Sequence, residues 1–404
     1  MNRMEKRKIV ITGMGAVTPV GIGVSAYWNS LTEGACGIDE IRGLDVSDLT
    51  VRRAGQVKDF NPKEFLSMKL VQDLEPYMQY AYVSALEAVA QSGLNTDSSR
   101  VGIVMGSALS GICIIGETNQ QLALNQKAAG PKFLTKAMGN IAAAQFSINH
   151  KIKGPSLTVS TACSSGGDAI TIASMLIRSG AADAMIVMAG EAAICKPLIQ
   201  SLTKTGALSK TGESRPFDKD RNGFVLGEGG GALVLESEDT ATARGARVIA
   251  RLLGCANNTD AFNPVSPDPS GSGAADCMKL ALADAGISAD EIDYINAHGT
   301  ATKMGDIAES NAVRMVFGER PVLISSTKGI TGHMMGAGGI TELIACVKIM
   351  ETGIIPPNVG FSEADPECAV NVPKDRLEGQ TIRAAMSNAL GFGGQNSCII
   401  VGRV

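Results

Sequence analysis

The chain has 404 residues, 45% hydrophobic and 19% charged, so it is long enough to bury more than one core. Its formal net charge of -4 gives no overall attraction for nucleic acid or for an anionic membrane surface. The basic start is followed by a segment that glycine and proline interrupt, which fits neither a signal peptide nor a membrane-spanning helix. We therefore expect a cytoplasmic globular protein that binds neither nucleic acid nor membrane.

Two stretches of the chain repeat one pattern of helices, strands and glycines. In each stretch a helix ends at a glycine, and a loop and a strand lead to a second glycine at equal spacing. These glycines are Gly93 and Gly106, then Gly286 and Gly299. Further along, each stretch has a Gly-Gly pair that opens an apolar helix, at 166–167 and 338–339. Two matches in the same order predict a duplicated α/β unit whose parallel strands are covered by helices on both faces.

The repeat divides the chain near residue 250, into an N-terminal half of residues 1–250 and a C-terminal half of residues 251–404. The first half is longer than the second between its matched points, and the extra residues fall within about 107–155. We expect this inserted segment to shape a substrate pocket or an oligomer contact, because long connections in compact domains are usually functional.

Cys163 lies between a strand-like run at 157–160 and a helix-like run that begins at Asp168. The N–H groups and the dipole at a helix N-terminus favour a thiolate, and the small residues after Cys163 leave room for a carbonyl. The other eight cysteines are scattered, mostly within apolar runs and without a Cys-x-x-Cys pair, so we predict neither a disulfide framework nor a cysteine-rich zinc site. Cys163 is the candidate nucleophile.

Two of the three histidines, His298 and His333, lie in glycine-punctuated corners of the second half. Lys328 precedes His333 in the same loop, and Glu342, inside the following apolar helix, is the carboxylate expected to pair with a buried cation. A zinc site would need a fourth ligand, and none stands out. A cysteine hydrolase would need only one histidine and would leave Lys328 without a role.

Five segments together resemble the beta-ketoacyl-acyl-carrier-protein synthases, in particular the elongating condensing enzymes of type II pathways. These segments are 161–166, 215–229, 298–306, 328–333 and 391–394. The resemblance covers nearly the whole chain. It implies the thiolase fold, a duplicated five-layer αβαβα arrangement that is usually a homodimer. The ketosynthase subunits of type II polyketide pathways are closely similar, and some of them pair with a chain-length-factor subunit.

The resemblance also implies a reaction, the decarboxylative Claisen condensation. Cys163 would hold an acyl chain, and a malonyl group on acyl carrier protein would lose carbon dioxide and attack it. The backbone N–H groups of Cys163 and Phe392 would form the oxyanion hole. His298 and His333 would bind the malonyl thioester carbonyl, and Lys328, oriented by Glu342, would hold His333 in place.

The same resemblance assigns the remaining site residues. Thr300 and Thr302 would bind pantetheine, Phe392 would gate the acyl pocket, and three residues of the insertion would line it: Leu109, Phe133 and Met138. No metal or dissociable cofactor is implied, since phosphopantetheine on the carrier protein brings the substrates.

Five departures from the family pattern bear on the pathway. Lys69 is the one cation left of a basic cluster that docks the carrier protein, and Gly206 occupies another position that is often basic. Lys303, Gln395 and Lys136 also depart from the usual residues. These changes resemble polyketide ketosynthases, so fatty-acid elongation and a polyketide or polyene pathway both stay open. A cysteine-dependent thioester hydrolase is a more distant alternative.

Overall fold

The computed structural model describes residues 6–124 and 128–404; the first five residues of the basic N-terminus and residues 125–127 of the predicted insertion lie outside the described part. The strands of the described part are β1 (Ile9–Thr18), β2 (Gly21–Ile22), β3 (Asp39–Glu40), β4 (Arg53–Ala54), β5 (Val101–Gly106), β6 (Ser156–Val159), β7 (Ala184–Glu191), β8 (Gly229–Ser237), β9 (Ala250–Thr259), β10 (Tyr294–Asn296), β11 (Leu323–Ser325), β12 (Ala384–Gly391) and β13 (Gln395–Gly402). The α-helices are α1 (Val24–Glu33), α2 (Met68–Asp73), α3 (Pro76–Ser92), α4 (Ile112–Ala123), α5 (Phe133–Ala137), α6 (Ile141–His150), α7 (Ser165–Arg178), α8 (Lys196–Thr205), α9 (Glu238–Ala243), α10 (Ser272–Ala285), α11 (Lys303–Phe317), α12 (Lys328–Thr331) and α13 (Gly338–Thr352).

The main strands follow the same order in both halves of the chain. In the first half the order is β6-β5-β7-β8-β1, and in the second it is β11-β10-β12-β13-β9. In each half, the first two pairs of adjacent strands in this order are parallel, and the last two pairs are antiparallel. Strands β1 and β9 join the halves through a short antiparallel pairing. The repeated order agrees with a duplicated unit, while the division of the chain near residue 250 stays a prediction.

Helices cover both faces of this joined sheet. Helix α3 packs on the outer face of β1, β7 and β8 in the first half. Helix α10 packs on the outer face of β9 and β13 in the second half. Helices α7 and α13 lie between the two halves, because α7 touches β5, β7, β9 and β13, and α13 touches β8, β10 and β12. Three separate apolar clusters fill the spaces between these layers. The predicted five-layer αβαβα arrangement is confirmed.

The two Gly-Gly pairs of the repeat lie where the central helices meet. A β-carbon on Gly166 would be 2.6 Å from the carbonyl oxygen of Gly336, and one on Gly339 would be 2.7 Å from the backbone nitrogen of Gly167. Such distances leave no room for a side chain. The glycines therefore let α7 and α13 start in backbone contact, which brings the loops ahead of these helices close together.

Between β5 and β6 the chain forms α4, α5 and α6, whereas α11 is the one α-helix between β10 and β11. Several large apolar side chains of this region are exposed: Ile115, Leu122, Leu124, Leu134, Met138, Ile148 and Leu157. Strand β6 is the edge of the sheet beside them. No helix within the described residues is both long and apolar enough to cross a membrane.

Candidate active site

Cys163 lies in the turn that joins β6 to α7. Ala162 has a φ of 51°, in the left-handed region, and this turns the chain sharply before the helix. The Ser165 hydroxyl donates to the carbonyl of Ala162 at 2.7 Å and accepts the N–H of Thr161 at 2.9 Å. The turn therefore holds the cysteine backbone in one place, two residues before the first residue of α7.

His333 contacts the predicted nucleophile directly, with 3.0 Å between its Nε2 and the Sγ of Cys163. The segment 215–229 holds this histidine. The N–H of His333 donates to the carbonyl of Val225 at 2.7 Å, and the N–H of Gly227 donates to the carbonyl of His333 at 2.8 Å. Phe224 packs edge-on against the imidazole, with ring centroids 5.3 Å apart.

His298 comes just after β10, and its ring lies beside that of His333. The two imidazole centroids are 5.3 Å apart, with planes at 84°. Both carboxylate oxygens of Glu309 hold the backbone here, accepting the N–H of His298 at 2.9 Å and that of Gly299 at 2.8 Å. One strand end and one helix of the second half thus present His298 to the cysteine of the first half.

Lys328 and Glu342 form a buried ion pair behind these groups; their side chains are 2% and 4% exposed. Burial raises the pKa of the Glu342 carboxyl, and the Lys328 charge opposes that rise. Burial also lowers the pKa of both His298 and His333 well below 6.5, and the Lys328 charge lowers them further. Both imidazoles are therefore neutral at pH 7.

The pKa of the Cys163 thiol differs from the value that a helix N-terminus predicts. Burial raises it to about 12, although the Lys328 charge and the N–H of Phe392 lower it. The sequence does not reveal that the cysteine is only 5% exposed, and desolvation of the thiolate outweighs the helix dipole. Cys163, the predicted nucleophile, is therefore a neutral thiol at pH 7 and lies next to a neutral imidazole.

A cavity of about 250 Å³ opens over the thiol and both histidines. Thr300 and Thr302 lie along it, with 3.1 Å between their hydroxyl oxygens, and Phe392 lies at its other side. The backbone N–H of Phe392 lies near enough to the sulfur of Cys163 to lower the pKa of the thiol, while its role in an oxyanion hole stays a prediction. Apart from the insertion residues and Lys69, the structure brings together the residues that the sequence singled out.

Four of the predicted residues lie elsewhere. Leu109 packs in an apolar cluster that contains Cys163 and Phe392, but it does not line the cavity. Phe133 lines a separate cavity beside Lys136, and Met138 is 41% exposed. Lys69 is exposed on α2. Within one chain, therefore, no side chain of α5 lines the cavity over Cys163.

Sequence reasoning missed the side chains that hold the site from behind. Glu309 is one, and Glu191 is another, because its carboxylate accepts the N–H groups of Ala108, Leu109 and Gly336 and so ties the insertion to the His333 loop. Burial raises the pKa of Glu191 to about 7. The one available signal was that Glu191 ends the otherwise apolar strand β7; Glu309 lies among polar residues of α11 and gave no such signal.

The sulfur and the ring nitrogens could also hold a metal, since one ligand atom each of Cys163, His298 and His333 lie within 4.8 Å of one another. In residues 6–124 and 128–404 this is the one such cluster of three or more ligands. A metal there would occupy the sulfur and the nitrogens that acyl transfer uses, so the donor set suits an inhibitory ion better than a resident cofactor.

Comparison with known proteins agrees with this site. Residues 6–241 match the beta-ketoacyl synthase N-terminal domain, and residues 249–362 match the beta-ketoacyl synthase C-terminal domain. The chain is 36% identical over 415 residues to 3-oxoacyl-acyl-carrier-protein synthase 2 of Vibrio cholerae serotype O1, covering 99% of this chain and 100% of the relative. It is 35% identical to the protein of the same name from Synechocystis sp., covering 98% of each.

Solved structures are similar over the same length. One is described as the ishigamide ketosynthase/chain length factor, with a TM-score of 0.93, 33% identity and coverage of 99% of this chain and 100% of that one. Another is a type II polyketide synthase acyl-carrier protein in complex with its ketosynthase bound to the hexaketide, with a TM-score of 0.90, 30% identity and the same coverage. On its matches to both domains and over its full length, the chain belongs to the beta-ketoacyl synthase family of condensing acyltransferases.

Proposed function

We propose that this protein extends acyl chains on acyl carrier protein by decarboxylative condensation with a malonyl thioester, in fatty acid elongation. The observation that carries the proposal is the contact of the Cys163 sulfur with His333 at the floor of a cavity that His298 also faces. A hydrolase needs one histidine to activate its cysteine, whereas here two neutral imidazoles face the space beside the sulfur.

The first step is acyl transfer to the cysteine. The sulfur of Cys163 attacks the thioester carbonyl, and its proton passes to the Nε2 of His333 and from there to the departing pantetheine thiolate. The N–H groups of Cys163 and Phe392 donate to the oxyanion that forms on the carbonyl oxygen. The neutral state of His333 supports this role, because an imidazolium could not accept the thiol proton.

The second step is decarboxylation and carbon–carbon bond formation. A malonyl thioester in the same cavity loses carbon dioxide, and the electron pair of the broken bond forms an enolate on the thioester. His298 and His333 donate hydrogen bonds to the enolate oxygen through their Nε2–H groups. Their Nδ1 atoms have no hydrogen-bond partner among the described residues, so either ring nitrogen can carry the proton. The enolate carbon attacks the acyl carbonyl, the carbon–sulfur bond to Cys163 breaks, and the released thiolate takes up a proton from solvent.

A polyketide or polyene pathway is the second candidate. Its support is the TM-score of 0.93 to the ishigamide ketosynthase/chain length factor, together with the departures at Gly206 and Lys303. In either pathway the substrates arrive on phosphopantetheine, and the chemistry proposed here needs no metal.

The exposed apolar side chains around α4, α5 and β6 suit a dimer interface, formed with an identical copy or with a chain-length-factor-like subunit. The division into halves near residue 250 and the cytoplasmic location belong to the same proposal.

The test is mass spectrometry of the intact protein with acyl-acyl carrier protein and malonyl-acyl carrier protein. We expect an acyl adduct on the wild type and none on Cys163→Ala, and, with both substrates, carbon dioxide and a product longer by two carbons. An acyl adduct on Cys163→Ala would overturn the nucleophile assignment. Free acid without carbon dioxide would favour the hydrolase instead.

A further inference from the structure

Two cysteines that the proposed condensation does not use meet between α4 and the start of α8. Cys113 is the second residue of α4, and Cys195 is the residue immediately before α8. Both side chains are half-buried, and the two thiols lie near enough to each other to form a hydrogen bond. Two sulfur atoms from distant parts of the chain are thus neighbours outside the candidate active site.

Backbone contacts hold the two cysteines at this place. The thiol of Cys113 donates to the carbonyl oxygen of Ala192 at 3.2 Å. Between this carbonyl and Cys195 the chain folds back, because the N–H of Cys195 donates to the carbonyl of Ala193 at 2.9 Å. The preceding residue, Glu191, accepts backbone N–H groups from the loop ahead of α4. Hydrogen bonds therefore fix the segment of each cysteine against that of the other.

The contact makes the two thiols unequal in acidity. The contact with Cys113 lowers the pKa of Cys195, and the nearby N–H of Leu198 in α8 also lowers it, although burial and the Glu117 charge oppose this. The same contact raises the pKa of Cys113. A thiolate at a helix N-terminus, with a second cysteine beside it, is the usual arrangement of a redox-sensitive cysteine and its resolving partner.

A cavity of about 330 Å³ leads to this pair. Cys113 lines it, and so do Ala192 and Ile194, which belong to the segment that ends at Cys195. The residues that line this cavity differ from those that line the cavity over Cys163. A small oxidant can therefore reach the pair without passing through the candidate active site.

A second pair of neighbouring cysteines lacks these properties. Cys277 and Cys398 are buried and close together, and burial raises the pKa of both thiols. Neither is a thiolate at neutral pH, and neither is open to a reagent in solution. Closeness, partial exposure and a helix start coincide at Cys113 and Cys195.

We propose that Cys113 and Cys195 form a reversible disulfide when the protein meets hydrogen peroxide. The thiolate of Cys195 attacks one peroxide oxygen, the oxygen–oxygen bond breaks, and the departing hydroxide takes up a proton to become water. The sulfur of Cys113 then attacks the sulfenic acid on Cys195 and loses its proton as the sulfur–sulfur bond forms. The sulfenic oxygen leaves as a second water. Two electrons thus pass from the two thiols to the peroxide.

The disulfide would join two separate parts of the fold. Cys113 belongs to the inserted segment between β5 and β6, and Cys195 starts the helix that ends at Thr205, which lines the cavity over Cys163. The bond would fix the insertion to a helix that reaches the candidate active site. Because it also closes a long stretch of chain, it restricts the unfolded state, so the oxidised protein should be the more stable form.

The experiment treats the reduced wild type with a small molar excess of hydrogen peroxide and analyses an unreduced digest by mass spectrometry. We expect a pair of peptides joined through Cys113 and Cys195, two hydrogen atoms lighter than the separate peptides and separated again by dithiothreitol. The midpoint of urea unfolding should rise on oxidation and return on reduction. Cys163→Ala should form the same link, because the step uses no group of the candidate active site.

Three serine variants separate the roles of the thiols. Cys195→Ser should form no link and show no rise in the urea midpoint. Cys113→Ser should stop at a sulfenic acid on Cys195, which dimedone traps as a stable adduct. Cys36→Ser is the matched control, since it removes an exposed cysteine and should form the link as the wild type does.

Three results would overturn the inference. The first is that Cys113 and Cys195 both stay reduced at a peroxide concentration that oxidises the exposed Cys36. The second is a link between two copies of the chain, seen as a covalent dimer on an unreduced gel. The third is a dimedone adduct on Cys113 of Cys195→Ser together with none on Cys195 of Cys113→Ser, which would contradict the assigned order of attack. The wild-type digest decides the first two results, so they do not depend on how well any variant folds.

Discussion

Lys328 and Glu342 form a buried ion pair in which the lysine ammonium donates to Oε1 of the glutamate. Burial lowers the pKa of both histidines and the Lys328 charge lowers it further; the same charge opposes the rise in the pKa of the Cys163 thiol, whereas the Glu342 charge adds to that rise. The two partners come from α12 and α13, on either side of the His333 loop. The Lys328 charge therefore adds to the effect of burial on the pKa values of the site, although neither partner of the ion pair lines the cavity.

Breaking this pair should destabilise the protein strongly. Lys328→Met leaves the Glu342 carboxylate buried without a cation, and such a loss costs about 3–5 kcal/mol. Lys328→Met/Glu342→Met removes both charges, so we expect it to lose less than the sum of the two single variants. Urea unfolding of the two single variants and the double variant measures this coupling, and additive losses would contradict it.

The two histidines should make stability fall in mild acid. Their folded-state pKa values lie well below 6.5, so below that pH the unfolded chain binds protons that the folded protein does not. Stability is therefore fully present above pH 6.5 and falls as the pH drops, by up to about 2.7 kcal/mol per pH unit for two such groups.

The matched comparison for this acid effect is His298→Gln/His333→Gln, which keeps polar side chains but removes both titrations. The difference in unfolding free energy between wild type and variant should be constant above pH 7. Below pH 6.5 the wild type should lose stability relative to the variant. A difference that stays flat between pH 5 and 7 would show that the histidines are not held neutral by burial.

The first turns of α7 and α13 are in backbone contact, so an added methyl group there should destabilise the protein. Gly339→Ala would place its β-carbon 2.7 Å from the backbone nitrogen of Gly167, so α7 or α13 must move. We expect a loss of about 1–3 kcal/mol from overpacking, and reduced activity because the two helices follow the loops that carry Cys163 and His333. Gly116→Ala in α4 is the control: nothing lies within 4 Å of its β-carbon, so it should be neutral or stabilising in thermal unfolding. Equal effects of the two changes would contradict the packing argument.

Much of the fold and the site was predictable, because both depend on patterns that the sequence repeats. Equal glycine spacing predicted the duplicated sheet, and the duplication brought Cys163 together with His298 and His333. The raised pKa of the thiol was not predictable, since it depends on how fully the assembled layers exclude water. The place of Glu309 also depends on contacts between distant segments. Phe133 and Met138 were predicted to line the acyl pocket. Within one chain they lie away from the cavity over Cys163, in a region whose large apolar side chains are partly exposed.

Thr302 combines two roles that substitution should separate. Its hydroxyl accepts the N–H of Gly305 and so caps α11, and it lies 3.1 Å from the hydroxyl of Thr300 in the cavity where pantetheine is proposed to bind. Thr302→Val keeps the shape but loses both hydrogen bonds, so we expect a loss of about 1 kcal/mol in stability and a higher KM for acyl-pantetheine. Thr302→Ser keeps the hydroxyl and should preserve both. Thr300→Val should raise the KM without uncapping the helix. If Thr300→Val leaves the KM unchanged while Thr302→Val raises it, the effect of Thr302 arises from the helix cap, and the pair does not bind pantetheine.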